Sequence, residues 1–324
     1  MRLLNQACEA LIQKYSNNPS EYINLMYQHI ERCGRTCYRS SDKITEDSAK
    51  PFVERMIKSN HTAMLEHGTV YLTRRLRTDD IEGKRWVSKY FLNKYSRHKS
   101  NLIESDYVPL DKQRIGESVQ GVFDIYITTN LRVIIENHWE DDLKYVCEPT
   151  GYHEKRYTLL CTTALHCYKD LTRHRVFSFA IESTRYCNYS KDKFGGELSF
   201  IIPTWCEIPA GDYPCHFDDE ANFILEGTSF GELGIRGANK IFMLHCGLAE
   251  HDYKTLIEYE WQAQQAAEVL PQCIKGDMII TGFEDDWKHL LDLRYYGTTG
   301  APHPMVKELA ALMKEELEKL GFNY

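Results

Sequence analysis

Hydrophobic positions recur at spacings of three and four in Ile23, Met26, Tyr27 and Ile30, and again in Val53, Met56 and Ile57. Both groups predict helices with one buried face. Residues 68–73 (GTVYLT) are rich in β-branched and aromatic side chains and predict a strand. The texture then changes. Residues 74–97 are highly charged and read as surface helix, and a loop containing Pro and Gly runs through Gly121. A strand over 123–128 and an apolar run over 131–135 follow. A strand-to-helix unit starts at Tyr157 and leads into Thr172-Arg173-His174-Arg175. Residues 200–203 close a short strand, and the acidic, Gly-rich stretch 207–237 reads as loop with some helix.

Towards the C-terminus, Tyr253, Leu256, Ile257, Glu260, Trp261 and Gln264 share one helical face, with Pro271 as the terminator. Residues 277–282 predict a strand. Val306, Leu309, Ala310, Met313, Leu317 and Leu320 form the apolar stripe of an amphipathic helix. No internal repeat or low-complexity tract is visible. The pattern predicts an α+β fold, helices packed on a sheet.

The 324 residues carry 39 Lys+Arg against 47 Asp+Glu, a net charge of −8. That balance opposes a general nucleic-acid binder, whose footprint is basic; small anions would need a local arginine cluster. No apolar run approaches the roughly 20 residues that span a bilayer, and no secretory signal fits the first residues. Eleven scattered cysteines without a CxxC pair predict a reduced, cytoplasmic protein with free thiols.

Arg173-His174-Arg175 and Ser183-Thr184-Arg185 put three guanidiniums and an imidazole within thirteen residues. Such forks suit phosphate or carboxylate, although spacing alone equally allows a solvated basic loop. A second candidate is His61-Thr62-Ala63-Met64-Leu65-Glu66-His67, where helix gives way to strand. The six-residue separation of its histidines matches no standard helical metal pair, and no metal is expected. In a third, Trp287–Arg294 (WKHLLDLR), the basic side chains equally suit a helix C-terminus.

Taken in order, these segments resemble the flavin-dependent thymidylate synthases. The spacing Arg173-His174-Arg175, seven residues, then Ser183 is that family's RHR-x7-S signature. SFAIESTRY (178–186), HTAMLEH (61–67), RTCY (35–38), AAEVLP (266–271) and WKHLLDLR (287–294) resemble its other motifs. The resemblance covers about residues 30–72 and 157–310. It implies one catalytic domain over 1–324, α+β with C-terminal helices, into which a helix-rich subdomain of residues 74–156 is inserted. The implied reaction is reductive methylation of dUMP to dTMP, with methylenetetrahydrofolate and NADPH as co-substrates of a bound FAD. Homotetramers with shared active sites are implied too, with neither membrane nor nucleic acid as partner.

Position by position, the resemblance assigns FAD to Arg173, His174, Arg175, Val176, His61, Glu66 and His289. It assigns dUMP to Ser183, Thr184 and Arg185, with Glu182 at the substrate edge. Arg294 polarises the uracil, with Arg173 facing nucleotide and Ser183 positioning it. No cysteine acts as nucleophile. The chain also departs from the pattern: Ala267 stands at a nucleotide-contacting arginine, Phe283 and Asp285 at a flavin-contacting Asn-x-Arg, and Asp170 at a Gln or Glu. Asn130-Leu131-Arg132, inside the insertion, resembles the missing Asn-x-Arg. These departures are also those of a diverged member with weak turnover; a nucleic-acid-binding module is the distant alternative.

Overall fold

The computed structural model describes residues 1–105, 121–183, 187–189, 196–218, 220 and 222–324. In chain order its strands are β1 (Arg2–Leu4), β2 (Ala7–Ala10), β3 (Thr69–Arg77), β4 (Arg97–Ser105), β5 (Gly121–Asn130), β6 (Arg156–Ala164), β7 (Ser178–Ile181), β8 (Ser199–Ile201), β9 (Gly211–Asp212), β10 (Cys215–Phe217), β11 (Phe223–Leu225) and β12 (Lys275–Phe283). The α-helices are α1 (Pro19–Thr36), α2 (Ala49–Lys58), α3 (Ile81–Phe91), α4 (Leu131–Glu136), α5 (Leu165–Leu171), α6 (Gly237–Glu258), α7 (Ala263–Ala266), α8 (Glu284–Leu291) and α9 (Pro304–Lys319). The fold is mixed helix and sheet.

Two sheets organise it. One runs β3-β5-β4, the other β2-β6-β12-β7, and the neighbours in each are antiparallel. Counting only the elements that build the two sheets, both follow one order: strand, helix, edge strand, central strand and a helix entered directly from it. In the second, β8 to β11, α6 and α7 intervene between β7 and β12. Thr69 pairs with Asn130 as Arg156 pairs with Phe283, and Asn130 and Phe283 are the N-caps of α4 and α8. The third strands also start in the same register, Arg97 opposite Thr128 and Ser178 opposite Thr281. Within the chain, β3-α3-β4-β5-α4 and β6-α5-β7-β12-α8 therefore form two repeats alike in strand order and register.

Each repeat has its own core. In the first, Val70, Leu72 and Leu76 meet Ile125 and Ile127 beneath Tyr22, Met26 and Ile30 of α1. In the second, Leu159, Cys161, Met278 and Ile280 pack on Trp287 of α8 and on Val306, Leu309, Met313 and Leu317 of α9. The other face of β12 turns Ile279 towards Cys33 of α1 and Leu11. That two-sided burial explains why residues 278–280 are continuously apolar instead of alternating. A third core gathers β1, β8 and α6.

The strands expected at 68–73, 123–128, 200–203 and 277–282 and the C-terminal helix are present. The apolar run 131–135 is α4, and Leu320, the C-cap of α9, is half-buried and packs on the same core as the helix's stripe. Three expectations change. The charged stretch 74–97 is helical only over Ile81–Phe91; Arg74, Arg75 and Arg77 finish β3, where Arg75 forms a cross-strand ion pair with Asp124 at 2.7 Å. The 74–156 segment thus contributes β4 and β5 as well as helices. The helix expected over 253–264 lies earlier, at Gly237–Glu258, and ends where Glu260 takes a positive φ of 65°, well before Pro271. Residues 207–237 hold three short strands. Among the described residues, no helix is long and apolar enough to cross a membrane, and all eleven cysteines are free.

Candidate active site

Between α5 and β7 the chain makes a tight turn, with His174 N–H donating to Leu171 O at 3.0 Å and Phe177 N–H to His174 O at 3.1 Å. Phe177 anchors it. Its ring meets Trp287 edge-on at 4.7 Å and lies over Gly282, where a Cβ would come within 2.3 Å of a ring carbon. The turn therefore sorts its side chains. His174 points inward and is buried, while Arg173 and Arg175 are exposed and Val176 is 54% exposed. Neither Arg173 nor Arg175 has a hydrogen-bond or ion-pair partner among the described residues.

Arg294 reaches this turn from the π-helical stretch Asp292–Tyr296 that follows α8. Such a stretch redirects side chains that a continuous α-helix would place elsewhere. Its Nε donates to His174 Nε2 at 3.1 Å, its Nη2 donates to Asp170 O at 2.8 Å, and its Nη1 lies 3.7 Å from Asp170 Oδ1. Because His174 Nε2 accepts, the ring proton sits on Nδ1. Burial, then the charges of Arg294 and His289, pull the His174 pKa down to about 4, so the ring is neutral at pH 7. His289 is exposed, 6.0 Å from the His174 ring.

Next to Arg173 lies a groove of 510 Å³, lined among others by His166, Lys169, Asp170, Trp205 and His303. The His303 ring lies 5.0 Å from His166 and 5.8 Å from the 59%-exposed Trp205. Sequence reasoning missed this wall. The available signal was Pro304, which starts α9 and makes His303 its N-cap, with Nδ1 accepting from Met305 N–H.

Ser183 follows β7 and donates its N–H to Cys37 O at 3.0 Å, which joins the RTCY segment to the signature. Thr184 and Arg185 lie outside the described residues. Glu182 is only 5% exposed. Its carboxylate accepts from Tyr189 OH, Lys275 Nζ and Asp277 N–H, each at 3.1 Å, so it is committed inside the protein.

The 61–67 segment is a short 3-10 turn whose two ends are tied to α4. Thr62 Oγ1 donates to Glu136 Oε1 at 2.6 Å, and Arg132 bridges Glu136 and Glu66. His61 is exposed. His67 is fully buried, with Nδ1 2.8 Å from Thr281 Oγ1, and burial pulls its pKa down to about 3. The two histidines therefore occupy opposite environments, and no group of three potential metal ligands occurs among the described residues. Two clusters emerge, His174–Arg294–Asp170–His289 and Glu66–Arg132–Glu136–Thr62, with no hydrogen bond between them among the described residues. Phe283 stands beneath Arg97 and Arg156, whose guanidinium carbons lie 4.5 and 5.2 Å from its ring. Asp285 is 3.7 Å from Lys288, and Ala267 is half-buried against the third core.

The family model for the thymidylate synthase complementing protein matches residues 153–320. The chain belongs to that family. The family match begins just before β6 and ends at α9, so it covers the second repeat and leaves the first outside. No curated protein matches the sequence. Among solved structures, the UMP/dUMP methylase PolB from Streptomyces cacaoi, bound with 5-Br dUMP, is similar over 99% of this chain and 93% of its own, at 14% identity and a TM-score of 0.40. ThyX from Helicobacter pylori, complexed with FAD and dUMP, is similar over 95% and 93%, at 11% identity and a TM-score of 0.35.

Proposed function

We propose that this member of the thymidylate synthase complementing family is a flavin-dependent thymidylate synthase. It methylates dUMP reductively to dTMP, with methylenetetrahydrofolate as carbon donor, NADPH as reductant and FAD as bound cofactor. The observation that carries the reading is the turn 173–176: two exposed guanidiniums, unpaired among the described residues, flank a neutral, buried histidine that holds Arg294 in place. This donor set fits FAD, a dianion with an apolar ring system, because Arg173 and Arg175 can meet its phosphates while exposed Val176 lies against apolar surface. When bound, the flavin supplies the hydride.

In this reading His174 accepts from Arg294 Nε and so fixes the fork that faces the uracil. Arg294 is a preorganised donor for the negative charge that develops as C5 becomes nucleophilic. Arg173, from the edge of the groove, contacts nucleotide as well as flavin. Ser183, Thr184 and Arg185 hold dUMP and its phosphate. His61 and Glu66 face flavin from the turn tied to α4, and His289 lies against FAD. The whole chain acts as one catalytic unit in the cytoplasm, with 74–156 inserted in it, and assembles as a homotetramer with shared sites.

The expected protein is yellow, oxidises NADPH faster when dUMP is added, and forms dTMP. Colourless protein with no dUMP-dependent NADPH oxidation would overturn the reading. Phe283 and Ala267 favour a second one, a member that keeps flavin and nucleotide but turns over weakly, because the Phe283 position is covered by Arg97 and Arg156. Flavin absorbance without dTMP formation would select it. In that case Ala267→Arg is expected to tighten dUMP several-fold.

A further inference from the structure

A separate cavity of 460 Å³ opens at the seam between the repeats, where β3 and β6 begin. Its wall includes Ile12, Gln13, Tyr15, Lys155, Arg156 and Tyr157, and Leu11 and Leu320 close its apolar side. Two of the lining residues are cations and none is acidic, in a protein whose net charge is −8. Arg156 is only 8% exposed. Its Nη1 donates to Thr69 Oγ1 at 3.2 Å and its Nη2 to Glu66 O at 3.1 Å, while its Nε has no acceptor. No carboxylate lies within ion-pair distance of it among the described residues. Among the described residues the buried Tyr157 hydroxyl also lacks a partner, and the exposed Lys155 at the rim is unpaired.

Glu66 and Asp286 act on this guanidinium only from beyond ion-pair distance, and its direct acceptors are neutral. Its charge is therefore incompletely compensated, because a charge removed from water needs a close counter-charge or a full set of hydrogen bonds. The Phe283 ring offers partial relief on one side. We propose that the cavity binds a small organic anion, a carboxylate or phosphate monoester with an apolar body. Its charged end lies against Arg156 and Lys155, and its body against Leu11, Ile12 and Leu320. Through the two Nη bonds of Arg156 the occupant steadies the stretch from Glu66 to Thr69, so the site is an effector site for the 61–67 turn.

Calorimetric titration of the full chain with phenyl phosphate, benzoate and inorganic phosphate tests this. Phenyl phosphate or benzoate is expected to bind saturably and at least about tenfold tighter than inorganic phosphate; which of the two is tighter identifies the headgroup. Lys155→Met, at an exposed position, should keep the melting temperature and weaken that binding about tenfold or more. Amide exchange over residues 62–69 should slow with the tighter probe in the parent chain, and less in Lys155→Met. Absence of saturable binding up to about 10 mM, the affinity range of the weakest specific ligands, would overturn the proposal. So would binding by Lys155→Met and Arg156→Lys as tight as that of the parent chain. The outcome is independent of flavin or dUMP chemistry.

Discussion

The two repeats share strand order, register and helix entry, yet equivalent positions carry different chemistry. Where the second repeat has Arg173-His174-Arg175 ahead of its third strand, the first has Leu92-Asn93-Lys94. Asp285 corresponds to Arg132, whereas Arg294 lies beyond the matched part, because α4 ends at Glu136 while α8 runs on to Leu291 and into the π-helical stretch. Even the wedge below the turn is exchanged: Phe177 over Gly282 in one repeat is the 2.8 Å hydrogen bond from Ser96 to Thr129 in the other. The scaffold thus sets where a group can stand, and the segments before the third strand and after the central strand set what it does.

The sharpest test of that division is Arg294→Met. It should lower dTMP formation about 10²–10³-fold, the usual cost of losing one preorganised donor, whereas Asp141→Asn in the first repeat should leave the rate unchanged. A steady-state assay of both variants decides it. The next effect concerns packing. Gly282→Val forces a side chain into the Phe177 ring and should cost about 2–3 kcal/mol in urea denaturation, against about 1 kcal/mol for Thr129→Val, which removes one hydrogen bond.

Protonation separates the repeats as well. His67 and His174 have folded pKa values of about 3 and about 4, below the ordinary 6.5. The unfolded chain therefore takes up protons that the folded chain refuses, so stability is lost as pH falls from 6.5 towards 4, at about 1.4 kcal/mol per pH unit for each histidine. The equivalent of His174, Asn93, does not titrate. The equivalent of His67, Glu154, shifts the other way: burial raises its carboxyl pKa, so its contribution to stability is lost as pH rises. Denaturation midpoints between pH 7 and 4.5 should fall less steeply in His67→Asn than in the parent chain. The smallest expected effect belongs to Arg132→Met. Freed from α4, Glu66 should bind flavin about tenfold less tightly, Arg132→Lys should recover part of the loss, and melting should hardly change; flavin fluorescence titration measures it.

Much of this was legible beforehand. Apolar runs marked β12 and the core of β5, and the RHR-x7-S spacing marked the turn that carries the catalytic candidates. The pairing of His174 with Arg294 was not legible, because it joins residues 120 positions apart through a π-helical stretch. Nor was the repeat, since its two halves keep register and burial but not side-chain identity. The resemblance set Glu182 at the substrate edge, and its commitment inside the protein depends on the long-range approach of Lys275 and Asp277, which no local pattern announces. Arg74 to Arg77 suggested a helix because a charged strand ending at a sheet margin has no local signature.

The connections inside the repeats have a kinetic consequence. In the first repeat only residues 106–120 separate the third strand from the central one, whereas in the second residues 182–274 must be closed before β12 can meet β7. Short loops close at lower entropic cost and earlier. β3, β4 and β5 should therefore acquire protection first in pulsed exchange during refolding. The second repeat then assembles against a finished partner through the contacts of Arg156 with Thr69 and of His67 with Thr281.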